Sequence, residues 1–263
     1  WIFGFELFLT FFCGAPIGPI FDAYGPRWLL LSGSVLLILS IMLLGICTEY
    51  WHFFLVYSVL NGLGGCLVNT PSIASIGHYF LAKRGNATGI AMTSGSIGGV
   101  IFPLMLQKLF PKVGFAWGTR ILGFIIVILL VLANLLITSR LPKKKMTSIS
   151  HIFPDLSVFK DIPFALLALG IFLTEWGLFV PITYIISEMV SQGHSSKFAF
   201  QVLSLFNAGS VLGRFGAGIV ADMMGRLNTL IISIGFCVVT CLGLWLPSGR
   251  SSAMIIVFAI TFG

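Results

Sequence analysis

Long apolar runs, each closed by a few polar or charged positions, set the pattern of this chain. Crossing a bilayer as a helix takes about 20 mostly apolar residues. Eight runs meet that length: Trp1 to Phe21, Trp28 to Thr48, Phe53 to Tyr79, Asn86 to Leu109, Ala116 to Ser139, Pro163 to Val190, Phe198 to Ala221 and Leu227 to Leu246. A ninth begins near Ser252. The runs predict helices and not barrel strands, because they are long and do not alternate apolar with polar positions. One stretch differs in character: RLPKKKMTSISHIFPDLSVFKD, from Arg140 to Asp161, is polar and basic between apolar neighbours. It predicts a central linker over 140–161, dividing an N-terminal half (1–139) from a C-terminal half (162–263).

Composition turns that pattern into a fold class. The chain is 57% hydrophobic and 9% charged, and its mean hydropathy is +1.06. A soluble domain of this length could not hide so much apolar surface in one core, so an all-α, multi-pass membrane protein in contact with lipid is expected. The net charge of +7 does not point to nucleic acid, since the basic residues stand mostly at the ends of apolar runs. Their placement predicts topology instead. With the loop after the first run in the cytoplasm, Arg27, Lys83, Arg84, Arg140, Lys143, Lys144, Lys145, Lys160 and Arg226 fall inside. Lys108, Lys112, Arg120, Lys197 and Arg250 fall outside, a moderate positive-inside excess. The first run is too long for a signal peptide and lacks a basic start. A chain that opens on Trp and stops within a helix is read as a piece of a longer protein.

An acidic and basic punctuation occurs twice. GPIFDAYGPR runs from Gly18 to Arg27, and GIVADMMGR from Gly218 to Arg226, one copy in each half. Repetition across two apolar halves is the pattern of duplicated transporters. Asp22 closes a helix at its C-terminal end, where the macrodipole disfavours an anion. It therefore needs Arg27 or a neighbouring helix N-terminus. The motif resembles the signature loop of the major facilitator superfamily. That resemblance implies a helical bundle of two pseudo-repeated halves, here about helices two to ten of twelve. It also makes Asp22, Arg27, Asp222 and Arg226 a conformational latch.

HYFLAKRGNATGIAMTSGSIGGVIFP, from His78 to Pro103, carries a narrower resemblance. With FDAYGPR, NGLGG, GLFVP and NAGSVLGRFGAGIVAD, it is similar to the monocarboxylate transporter family and closest to its fungal porter-like branch. The resemblance implies a secondary transporter for a small organic anion or related metabolite, working by alternating access. It also places a substrate-anion arginine at Arg214. One position departs: animal members carry an Asp four residues before that arginine, and Ser210 stands here. The residues themselves give partial support. Gly85 to Gly89 and Gly95 to Gly99 have small-xxx-small spacing, which lets helices approach closely in lipid. Charges within spans default to function, and Arg214 lies about 12 Å along the helix from Asp222.

Glu175, near the middle of its run, is the candidate for proton coupling, because burial would favour its neutral form. Asn61, Asn69 and Tyr184 are candidate substrate contacts. Glu6 is placed either in an outer vestibule or at the interface, and Pro71, Pro103 and Pro181 are candidate bends. Asn86-Ala87-Thr88 reads as a glycosylation sequon, but the topology puts it on the cytoplasmic side and predicts it unmodified. The five cysteines and four histidines have no metal-ligand spacing, and no nucleotide-binding or nucleophile–base arrangement occurs. An enzyme and a cofactor are therefore not expected. The expected partners are a small-molecule substrate, a coupled proton and membrane lipid, with the plasma membrane favoured over an internal one. The rival reading is a transport-inactive membrane protein or incomplete gene product, with a receptor-like role or none.

Overall fold

The computed structural model describes residues 1–140, 156–249 and 251–263. Most of the expected linker, with Lys143, Lys144, Lys145 and His151, lies outside the described residues, and so does Arg250. The described residues are helical without strands, as the lengths of the apolar runs predict. In chain order the helices are α1 (Ile2–Phe12), α2 (Gly14–Tyr24), α3 (Pro26–Leu44), the short α4 (Tyr50–Phe53), α5 (Gly62–Tyr79), α6 (Arg84–Leu136), α7 (Ile162–Ser191), α8 (Ser196–Met224), α9 (Arg226–Thr240) and α10 (Ser252–Phe262). Wider π-helical turns cover Phe54–Asn61 and Cys241–Trp245 and continue into neighbouring helices.

Seven helical spans among the described residues are long and apolar enough to cross a membrane. The longest, α6, is broken at Gly114, whose φ of 78° interrupts the helical backbone. It thus supplies two of the eight runs expected from the sequence. The first span joins α1 and α2 across Cys13. Outward faces remain apolar: Leu31, Leu39, Ile128, Leu132, Phe172, Leu173, Ile231 and Val239 are all exposed. A chain whose helices turn such faces outward meets hydrocarbon and not water.

The chain packs as two compact units. Of the described residues, the first holds 1–81 and 106–140, and the second holds 82–105, 156–249 and 251–263. In the first, Ile17, Phe21, Leu29 and Cys66 form the buried core, and α3 meets α5 through glycines. A β-carbon at Gly33 would lie 2.7 Å from Leu67 Cβ, and one at Gly64 would lie 2.9 Å from the Leu37 amide nitrogen. In the second, Ile185, Met189, Val202, Phe206, Phe258 and Phe262 form the core between α7, α8 and α10. Packing groups the first part of α6 with the second unit, whereas the sequence drew its boundary at the linker. The physical reason lies in α6's own glycines: a β-carbon at Gly89 would stand 2.6 Å from the Arg214 carbonyl oxygen of α8.

Candidate substrate and latch sites

The two signature loops share a backbone device. Gly25 (φ 81°) ends α2 and Gly225 (φ 90°) ends α8, and each is the N-cap of the next helix. Such positive φ is open to glycine and strained for other residues, so the repeated glycine fixes a one-residue corner between two spans. In the first loop, Asp22 and Arg27 are both exposed. Arg27 lines an open cavity of about 530 Å³ with Tyr24, Trp28, Thr138 and Ser139.

In the second loop the partners of the acid are two backbone amides. Asp222 Oδ1 accepts the backbone N–H of Gly85 at 2.9 Å, and Oδ2 accepts that of Asn86 at 2.8 Å. These amides belong to the first turn of α6, where helical N–H groups have no partner within the helix and the dipole favours an anion. A helix N-terminus, weighed from the sequence as a partner for Asp22, is what Asp222 uses in the second loop. Gly218 makes room for this contact: a β-carbon there would lie 2.7 Å from the Gly85 carbonyl oxygen. Arg226 is exposed at the start of α9.

Arg214 sits on α8, two turns before Asp222. Its Nε donates to Ser210 Oγ at 2.9 Å, and its Nη1 donates to the Met92 carbonyl of α6 at 3.2 Å. Ser210 in turn receives a hydrogen bond from Ser96 at 2.9 Å, and both serines are buried. Ser210 thus holds the arginine without adding a charge. Nη2 carries no hydrogen bond among the described residues. Arg214 lines a cavity of about 610 Å³ together with Leu178, Ile182, Phe206, Phe236 and Thr229. It is the one charged side chain among the residues lining that cavity.

The remaining candidates are not gathered there. Glu175 lies on α7 one turn before Leu178 and does not line the cavity. It is exposed within its unit, contrary to the burial expected from mid-span placement. Tyr184, further along α7, is 59% exposed and also lies outside the cavity lining. In the first unit, Asn69 is exposed, and Asn61 turns its amide to Glu6 Oε1 at 3.5 Å. Pro71 and Pro181 are buried inside α5 and α7. Sequence reasoning missed the Ser96 and Met92 contacts, which come from another helix and leave no spacing signal. It also missed Glu188, whose carboxylate takes the Trp245 indole N–H at 2.6 Å and the Gln192 amide at 3.0 Å. The Glu188–Gln192 spacing of one turn was the available clue. All five cysteines are free thiols, and no cluster of three metal-ligating side chains exists among the described residues.

Comparison with known proteins now bears on this arrangement. The family model described as Major Facilitator Superfamily matches residues 1–263. The chain belongs to the Major Facilitator Superfamily. Among curated relatives, the MFS-type transporter 1 of an Ophiocordyceps species is 37% identical over the whole of this chain and 58% of its own length. The MFS-type transporter pytF of Aspergillus terreus is 41% identical over 86% of this chain and 76% of its own. The Fujikurins efflux protein of Gibberella fujikuroi is 36% identical over all of this chain and 56% of its own length. The chain thus spans little more than half of the first and third of these relatives. Two of these names state an MFS-type transporter and the third an efflux protein, and none names an enzyme. None of these names mentions monocarboxylates.

Proposed function

We propose that the protein is a secondary transporter that moves an organic anion with a substantial apolar body by alternating access of its two halves. One observation carries the reading: Arg214 is the single charge lining an otherwise mostly apolar cavity of about 610 Å³. Ligand pockets of this class run from about 300 to 1,000 Å³, which suits a larger organic acid better than a lactate-sized one. Arg214 is held by Ser210 and Met92, and its Nη2 amino group remains for a carboxylate. A planar, permanently charged guanidinium fits that task. The relative named as an efflux protein favours outward movement, and the plasma membrane is the natural site for it. Asn61, Asn69 and Tyr184 are assigned to the substrate path, in its parts away from the Arg214 cavity.

Glu175 is assigned to proton coupling. It is a carboxyl in a membrane span, one turn from the cavity-lining Leu178 and without a hydrogen-bond partner among the described residues. Asp222, Arg226 and their first-half counterparts Asp22 and Arg27 are assigned to a latch that alternates with the transport cycle.

The test is transport of radiolabelled carboxylates of graded size, from lactate to aromatic and long-chain acids, at acid and neutral external pH. Arg214→Ala is expected to abolish transport of the larger acids, and Glu175→Gln to remove its dependence on pH. Transport untouched by Arg214→Ala would place the anion site elsewhere.

A further inference from the structure

A carboxyl that the transport reading does not use stands in the first unit. Glu6, on α1, places Oε1 3.3 Å from Thr10 Oγ, one turn on, and 3.5 Å from Asn61 Nδ2, at the end of the π-helical turn. The Thr10 hydroxyl also lies 3.2 Å from the Gly62 carbonyl oxygen. It has one hydrogen and two acceptors in reach. Oε2 carries no hydrogen bond among the described residues.

Among the described residues, the elements packed against α1 supply no countercharge. The elements packed against α1 are α2, the π-helical turn and α5. From the π-helical turn, Tyr57 lies within electrostatic reach of Glu6. On α5, Gly62 and Gly65 face α1 here; a β-carbon at Gly62 would lie 2.9 Å from the Glu6 carbonyl oxygen, and one at Gly65 would lie 3.5 Å from Thr10 Oγ1. The titratable groups of α5, Cys66, His78 and Tyr79, lie further along, and those of α2, Asp22 and Tyr24, lie at its far end. No lysine or arginine occurs in any of these elements. An ionised carboxylate in an apolar span without a cation is costly. A metal cation would need several oxygen ligands, whereas the Asn61 amide presents hydrogens to Oε1. The chemistry that fits is a proton.

We propose that Glu6 is a second proton-binding site, with the Thr10 hydroxyl as its switch. In the ionised state Thr10 and Asn61 both donate to Oε1. A proton from water then adds to Oε1, and the new O–H donates to Thr10 Oγ while the Thr10 hydrogen turns to the Gly62 carbonyl. Oε1 becomes a poor acceptor, so the Asn61 contact is lost and the tie between α1 and the π-helical turn loosens. On release the proton returns to water and both bonds re-form. The consequence for transport rests on the reading above; the proton binding itself does not.

Infrared difference spectroscopy of the purified protein in liposomes tests it, following the protonated-carboxyl C=O band from alkaline to acid pH and identifying it by its shift in D₂O. A component of that band is expected to vanish in Glu6→Gln. In Thr10→Val it is expected to move to higher frequency and titrate at a different pH, and Thr10→Ser is expected to restore it. Glu175→Gln leaves this component in place, so loss of the pH dependence of transport in that variant with the Glu6 component intact separates the two readings. Spectra of Glu6→Gln and the unaltered protein that coincide at every pH would overturn the proposal. A band that Thr10→Val leaves unmoved would overturn the switch, and this variant keeps the test open if Glu6→Gln fails to fold.

Discussion

Asp222 on α8 closes the first turn of α6 by accepting the Gly85 amide through one carboxylate oxygen and the Asn86 amide through the other. The contact joins an acid in a signature loop to the stretch that carries the small-xxx-small glycines, so two motifs far apart in sequence form one joint. Both bonds are charge-assisted. Asp222→Asn keeps one acceptor but turns an amide N–H₂ toward the second backbone N–H. The loss resembles removal of a helix cap, about 1 kcal/mol, and the apparent melting temperature in detergent is expected to fall by about 2–4 °C. An unchanged melting temperature would show that the joint adds nothing to the folded state.

Gly89 and Gly95 separate close packing from mere spacing. A β-carbon at Gly89 would stand 2.6 Å from the Arg214 carbonyl oxygen and 3.2 Å from Gly218 Cα, whereas one at Gly95 would meet nothing within 4 Å. Gly89→Leu should therefore force α6 from α8 and cost about 1–3 kcal/mol as overpacking. Gly95→Ala should be tolerated or slightly stabilising, since alanine lowers the entropy of the unfolded chain. Thermal midpoints of the two variants, measured side by side, check the contrast. Equal destabilisation would mean that both glycines are packed alike.

The contrast shows what was legible in the sequence. Spans, the break between the two runs of α6, the paired corners at Gly25 and Gly225 and superfamily membership all follow from local signals: run length, glycines placed between charged positions and a repeated motif. The two small-xxx-small pairs of α6 looked equivalent because spacing defines a face but not its neighbour. Glu175 looked buried because mid-span depth was equated with a packed environment, yet which side of a helix turns inward depends on partners that a hydropathy pattern does not name. Arg214 was legible as a rare charge in a span. Its Met92 and Ser96 connections were not, because each crosses between α8 and α6.

Ser210 positions Arg214 and does not itself titrate in the physiological range, so its removal should act on binding geometry alone. Without the hydroxyl, Arg214 Nε loses its 2.9 Å partner, and Ser96 loses the acceptor it uses. Ser210→Ala is expected to raise KM for a transported carboxylate several-fold while leaving its dependence on external pH unchanged. Ser210→Thr, which restores a hydroxyl, should recover most of the affinity. A shifted pH profile in the alanine variant would tie Ser210 to proton handling instead.

Cys47 gives a prediction outside the spans. It follows the end of α3, its Sγ donates to the Leu43 carbonyl at 3.3 Å, and burial pushes its thiol pKa above the ordinary value. The thiolate is the reactive form. A raised pKa leaves less of it near neutrality, and the deficit shrinks as pH climbs through the raised value. Maleimide labelling of a variant that keeps Cys47 alone of the five cysteines should therefore be slower at neutral pH than labelling of an unfolded peptide of the same sequence. The two rates should converge toward alkaline pH. Equal rates at neutrality would place Cys47 in open water, with the hydrogen bond to Leu43 broken.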